Sequence, residues 1–122
     1  MIGYTTLGTN ALDRATAFYD DLLALLGARR AMSFPRGHLW SAGTGQPMFG
    51  ILTPFDGQPA SAGNGAMVAL ACPDAETIDA LHAKALALGG RDEGAPGERF
   101  PGFYAAYCRD LDGNKLCFFR MG

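Results

Sequence analysis

No stretch of this chain approaches the run of about 18 apolar residues that a membrane-spanning helix needs. The opening Met1-Ile2-Gly3-Tyr4 lacks the basic and apolar regions of a secretory signal. Positive charge is scarce and scattered: Arg29-Arg30 is the densest basic point, and the formal net charge is −2. That balance gives no support to a nucleic-acid or anionic-membrane partner. Cysteine is limited to Cys72, Cys108 and Cys117, an odd count without a CxxC. These read as free thiols in a reducing, cytoplasmic setting rather than a disulfide framework. Only two histidines are present, His38 and His82. No spacing of Ser, His and acid suggests a hydrolase triad, and no glycine cluster opens a helix as a phosphate loop would.

The 122 residues are 48% hydrophobic and 18% charged, an ordinary globular balance. A chain this long buries roughly 60–70% of its unfolded surface, which suffices for a core without staples. It suits one domain, or two half-size modules sharing one structure.

The halves repeat. Tyr4 corresponds to Met67, Asn10 to Asp74, and the helix-ending Gly27 to Gly89 or Gly90, an offset of about half the chain. In the first half, 2–8 reads as a strand. Leu12, Ala15, Phe18, Tyr19, Leu22, Leu23 and Leu26 then recur at helical spacing, with Asp13, Arg14, Asp20 and Asp21 on the other face. Asn10 stands three before Asp13 as a weak capping box, and Gly27 supplies the left-handed stop. Strands are expected near 28–34, 37–42 and 47–53, separated by Pro35, Gly37, Gly43, Gly45 and Pro47.

Residues 54–65 read as the joining loop. In the second half a strand spans 66–72 and Asp74 caps a helix with Ile78, Leu81, Ala85 and Leu88 on its buried stripe. His82 falls at the flank of that stripe and is expected at the surface. The charged, Gly/Pro-containing stretch 91–101 allows only a short, poorly defined strand. Strands near 102–109 and 114–120 are joined by a turn at Asp112-Gly113-Asn114, since glycine takes a positive φ cheaply. The expected fold class is α+β: two βαβββ modules, about 1–56 and 64–122, forming curved mixed sheets around a concave cavity with helices outside.

Three segments carry a family resemblance: Leu12-Asp13-Arg14-Ala15-Thr16-Ala17-Phe18-Tyr19-Asp20, Asp74 to His82 closed by Gly89-Gly90, and Tyr107-Cys108-Arg109-Asp110-Leu111-Asp112-Gly113-Asn114-Lys115-Leu116. In this order, with the duplication, the chain resembles the vicinal oxygen chelate superfamily, the glyoxalase, bleomycin-resistance and extradiol-dioxygenase group. The resemblance covers nearly the whole chain and implies the glyoxalase-like fold. It places the family's metal-ligand positions on Tyr4, Met67, Cys117 and a fourth position within Met48-Phe49-Gly50-Ile51-Leu52. A hard divalent ion wants oxygen or imidazole donors. Tyr, Met and Cys are poor substitutes, so no metal and no cofactor are expected.

The expectation that follows is a protein binding a small, partly apolar organic molecule, as the bleomycin-resistance branch does without chemistry, and assembling as a homodimer. The residues expected to line its cavity are Tyr4, Trp40, Phe49, Met67, Tyr104 and Cys117. Strand alternation puts His38 with Trp40 on one face, and Cys117 with Phe119 on another. A metal-dependent lyase, isomerase or dioxygenase of the same superfamily is the alternative. A metal-free enzyme using Tyr4, Tyr104 or Cys117 is the second alternative.

Overall fold

The computed structural model describes all residues, 1–122, and divides into two compact units, Met1–Ala62 and Gly63–Gly122. Each is a βαβββ module.

The first module runs β1 (Tyr4–Gly8), α1 (Leu12–Leu23), a 3-10 turn (Ala24–Leu26), β2 (Arg29–Phe34), β3 (Gly37–Ser41) and β4 (Met48–Leu52). Its sheet has the order β1-β4-β3-β2, with β1 and β4 parallel and the other pairs antiparallel. The expected apolar stripe of α1 is buried at Ala15, Phe18, Tyr19, Leu22 and Leu23. Its start differs from the expected capping box. Asn10 does not cap; its amide binds the backbone of Ala60, accepting from Ala60 N at 2.6 Å and donating to Ala60 O at 3.2 Å. Thr9 Oγ1 instead accepts from the Ala11 N–H at 3.1 Å. Gly27, at φ 71°, ends the helical segment in the left-handed conformation as expected.

The second module runs β5 (Val68–Ala71), α2 (Ala75–Ala87), β6 (Arg91–Phe100), β7 (Phe103–Arg109) and β8 (Lys115–Met121). The sheet order is β5-β8-β7-β6, again with one parallel pair, β5 with β8. Asp74 caps α2, accepting from Thr77 N at 2.8 Å and from Thr77 Oγ1 at 2.7 Å.

Two expectations fail here. His82 is not at the surface: it is 7% exposed, in one stripe with Ile78, Leu81 and Ala85. Position 82 follows Ile78 by one helical turn, and the imidazole is tolerated there because Asp92 Oδ1 meets its Nε2 at 2.9 Å. Nor is β6 short. It spans ten residues, paired with β7 through register shifts around Asp92/Gly94, Gly94/Gly97 and Glu98/Phe100. Pro96 and the two glycines are accommodated because β6 is an edge strand and its irregularities absorb them.

The Asp110–Asn114 loop closes the β7–β8 hairpin. Asp110 Oδ1 accepts from the N–H groups of Asp112 and Asn114, both at 2.9 Å, and Asn114 Nδ2 donates to Asp110 Oδ2 at 2.9 Å. Gly113, at φ 87°, turns the chain. The motif that carried the family resemblance is thus a self-satisfied structural loop whose Asp110 and Asn114 are buried.

Candidate functional site

Each sheet has one face covered by its own helix and one facing away from it. In the first module, Trp40 and Phe49 lie on the helix face. The Trp40 and Phe49 rings sit 6.0 and 5.0 Å from Tyr19 of α1, and Trp40 Nε1 donates to Asp20 Oδ1 at 3.0 Å. Both residues, expected to line a ligand cavity, are core residues beneath α1. His38 shares the face of Trp40, as alternation required, with the rings 5.9 Å apart. That face packs toward the helix, and His38 Nδ1 lies 2.8 Å from Ser33 Oγ. Alternation dictates which residues share a face; the aromatic and acidic side chains of α1 decide which face is covered.

The helix-free face of the first sheet carries Tyr4 and Thr6 of β1, Leu39 of β3, and Met48, Gly50 and Leu52 of β4. A Cβ on Gly50 would lie 2.2 Å from Leu39 Cδ2 and 3.1 Å from Thr6 Cγ2, so glycine here makes room for these two neighbours. Tyr4 is 61% exposed. Two polar recesses mark this module's edges. One, of about 600 Å³, is lined by residues including Arg29, Ser41, Thr44 and Gln46; the other, of about 470 Å³, includes Thr6, Arg36, Phe55 and Ser61. None of Tyr4, Trp40 and Phe49 lines either recess.

In the second module, Tyr104 identifies the covered face: its hydroxyl donates to Asp79 of α2 at 2.6 Å. That bond, with burial second, raises the Tyr104 phenol pKa above its ordinary value. Ala106 and Cys108 of β7, and Leu116 and Phe118 of β8, follow on the same side and are fully buried. Cys117 and Phe119 therefore occupy the helix-free face, as expected, with Phe103, Ala105 and Tyr107. Met67 precedes β5 rather than belonging to it, and is 44% exposed. Cys117 pairs with Ala69, two residues beyond Met67. Tyr4 belongs to the other module.

The helix-free face of the second sheet gathers cationic, aromatic and sulfur-bearing side chains, of which Cys117 is itself buried. Cys117 and Tyr107 are cross-strand partners on β8 and β7. Arg99 Cζ and Lys115 Nζ lie 5.5 and 5.4 Å from the Tyr107 ring centroid. An apolar stack continues the face: Phe100 on Phe103 at 4.8 Å, and Phe103 on Phe119 at 5.9 Å. Burial pushes the Cys117 thiol pKa up, against the opposing influence of Tyr107, Arg99 and Lys115. Arg99 was not legible in the sequence, because the register shifts of β6 break the alternation that would have assigned it a face. Tyr107 was one of several strand aromatics, with nothing local to mark its pairing with Cys117.

The family's metal positions do not fit a hard divalent ion. On β4 the helix-free face offers Met48, Gly50 and Leu52, which supply no nitrogen or oxygen side-chain donor. Tyr4, Met67 and Cys117 supply a phenol, a thioether and a thiol whose pKa is raised. No three His, Cys, Asp or Glu side chains cluster as a ligand set. All three cysteines are free.

The chain matches the sequence profile of the Glyoxalase/Bleomycin resistance protein/Dioxygenase superfamily over residues 1–118. No curated protein matches it. Among solved structures, a glyoxalase/bleomycin resistance protein from Albidiferax ferrireducens T118 is 37% identical, with a TM-score of 0.92 over 100% of this chain and 99% of that one. A glyoxalase/bleomycin resistance protein/dioxygenase family enzyme from Burkholderia phytofirmans PsJN shares the fold at 19% identity, with a TM-score of 0.77 over 98% of each chain. A lactoylglutathione lyase from Agrobacterium tumefaciens does so at 23% identity, with a TM-score of 0.70 over 98% of this chain and 92% of that one. With the paired βαβββ modules, the profile match and the 37% identical relative, the chain belongs to the glyoxalase/bleomycin resistance/dioxygenase superfamily.

Proposed function

We propose that this protein binds a small, partly apolar organic molecule without a bound metal, using the helix-free face of its second sheet. The observation that carries this reading is the composition of that face. A stacked apolar patch, Phe100, Phe103 and Phe119, adjoins the polar group of Tyr107, Arg99 and Lys115. Small-molecule sites combine apolar walls with a few orienting polar groups in this way. The absence of a clustered donor set disfavours a metal-dependent lyase, isomerase or dioxygenase. For the metal-free enzyme, Tyr104 is engaged by Asp79 and the Cys117 thiol pKa is raised, so neither is poised for proton transfer near neutral pH.

The test is native mass spectrometry and elemental analysis of protein purified without chelator. The expected result is a chain without stoichiometric Mn, Fe, Zn or Ni. About one equivalent of any of these, retained through gel filtration and lost with an activity on chelation, overturns the reading in favour of the metal enzyme.

We also infer a homodimer. Met32, Phe34 and Met121 are all more than 40% exposed in a single chain, an apolar exposure that association would cover. Light scattering on the eluting protein should give twice the 12.9 kDa chain mass; a monomer at micromolar concentration sinks this inference.

A further inference from the structure

The cations above Tyr107 have a feature that a general apolar cavity does not require. Arg99 Nη2 donates to Ala95 O at 2.6 Å, which fixes the guanidinium in place over the Tyr107 ring. Its position depends on Gly94 and Gly97. A Cβ added at Gly94 would stand 3.2 Å from Arg99 Nη2, and one at Gly97 would stand 3.0 Å from Nη1. Two glycines on the same strand thus leave a bed on which the side chain lies toward β7. Lys115 reaches the same ring from β8.

The neighbouring carboxylate, Glu93, is held by Arg109 and also feels Lys115. Glu93 accepts from Arg109 Nε at 2.7 Å, which uses that carboxylate and that guanidinium on each other. Arg99 and Lys115 form no salt bridge. Two cations thus converge on one phenol at the border of the Phe103–Phe119 stack, Lys115 also acting on the Glu93 carboxylate that Arg109 holds. Both also act on the Cys117 thiol, opposing the effect of burial on its pKa, so their fields overlap at one place on the sheet.

We propose that Arg99 and Lys115 receive the anionic head group, carboxylate or phosphate, of a ligand whose flat apolar body lies on Phe103 and Phe119. This rests on the small-molecule reading above and names the ligand class. Guanidinium and ammonium donors to an anion make charge-assisted hydrogen bonds, about twice as strong as neutral ones. The planar guanidinium fits either oxyanion.

The test is a titration of the full chain, followed by amide chemical shifts, with three probes that share a phenyl ring: benzoate, phenyl phosphate, and benzamide as the neutral isostere of benzoate. The expected result is saturable movement of amides in β7 and β8 around Tyr107 and Cys117 with one or both anions, and binding about ten-fold weaker for benzamide. Arg99→Gln and Lys115→Gln should each weaken the anion about ten-fold, and added salt should do the same in part. Arg120→Gln removes the same charge from the opposite face and should leave binding unchanged. Gly97→Ala, which keeps the charge but crowds the guanidinium, should weaken it less than Arg99→Gln. Whether benzoate or phenyl phosphate binds more tightly distinguishes the two head groups. Equal binding of benzamide and the anions, or equal loss in Arg120→Gln, overturns the anion proposal and leaves the small-molecule reading standing. No shift on this face with any probe overturns both.

Discussion

Trp40 and Asp20 are joined across the first module, with the indole Nε1 donating to the Asp20 carboxylate at 3.0 Å. The same carboxylate takes Arg30 in a two-pronged contact, at 3.0 and 2.5 Å. The Arg30 hydrogen bond is the largest cause holding the Asp20 carboxyl below its ordinary pKa, and the Trp40 bond adds to it against partial burial. A carboxylate with a depressed folded pKa contributes stability above its unfolded value, near 3.8, and loses it as pH falls through the folded one. Wild type should therefore lose stability below about pH 4 more steeply than Asp20→Asn. At neutral pH Asp20→Ala should cost about 1–2 kcal/mol, because the buried indole N–H is left unpaired. Trp40 is the only tryptophan, so urea unfolding followed by its fluorescence reads both effects. Equal acid sensitivity of the two proteins would refute the assignment.

His82 contributes through packing and its bond to Asp92. His82→Ala removes a buried ring and its hydrogen bond, and should lower stability by about 2 kcal/mol. Asp92→Asn should cost less, because an amide oxygen still accepts from the imidazole. Thermal melts of the two variants check the order; a His82→Ala chain as stable as wild type would return His82 to the surface.

The Asp110 carboxylate supports three hydrogen bonds inside a buried turn. Asp110→Ala strands two backbone N–H groups and should destabilise by about 3 kcal/mol. Asn114→Ala removes one of these bonds and should cost about 1–2 kcal/mol. Denaturant midpoints at constant slope measure both. Smaller effects at Asp110 than at Asn114 would contradict the loop's hydrogen-bond pattern.

Burial pushes the Cys108 thiol pKa up to about 12 and Cys72 to about 11, from 9.0. A raised folded pKa contributes stability that is present below the unfolded value and lost as pH rises toward the folded one. Wild type should therefore weaken between about pH 9 and pH 12, and Cys108→Ala should flatten that decline. At neutral pH the three thiols should label slowly, Cys108 slowest of all. Cys117 reacting much faster than Cys72 and Cys108 at neutral pH would mark it as an activated nucleophile and favour the metal-free enzyme.

The sequence by itself determined the element order, the duplication, the start of α2 and the end of the first helical segment. Asp74 and Gly27 act through local backbone chemistry, which needs no distant partner. It also determined which residues share a face, because a strand alternates with period two whatever packs on it: His38 with Trp40, and Cys117 with Phe119. Tertiary structure alone decided which of those faces a helix covers. In the first module the Tyr19 ring and the Asp20 carboxylate draw Trp40 and Phe49 beneath α1. In the second, the Asp79 carboxylate draws Tyr104 beneath α2. It also decided the fate of His82, whose burial depends on Asp92 arriving from another strand. Arg99 was hidden for a related reason. Its place over Tyr107 follows from the register shifts of β6 and the room left by Gly94 and Gly97, and a displaced register is set by the strand it pairs with rather than by the residues themselves.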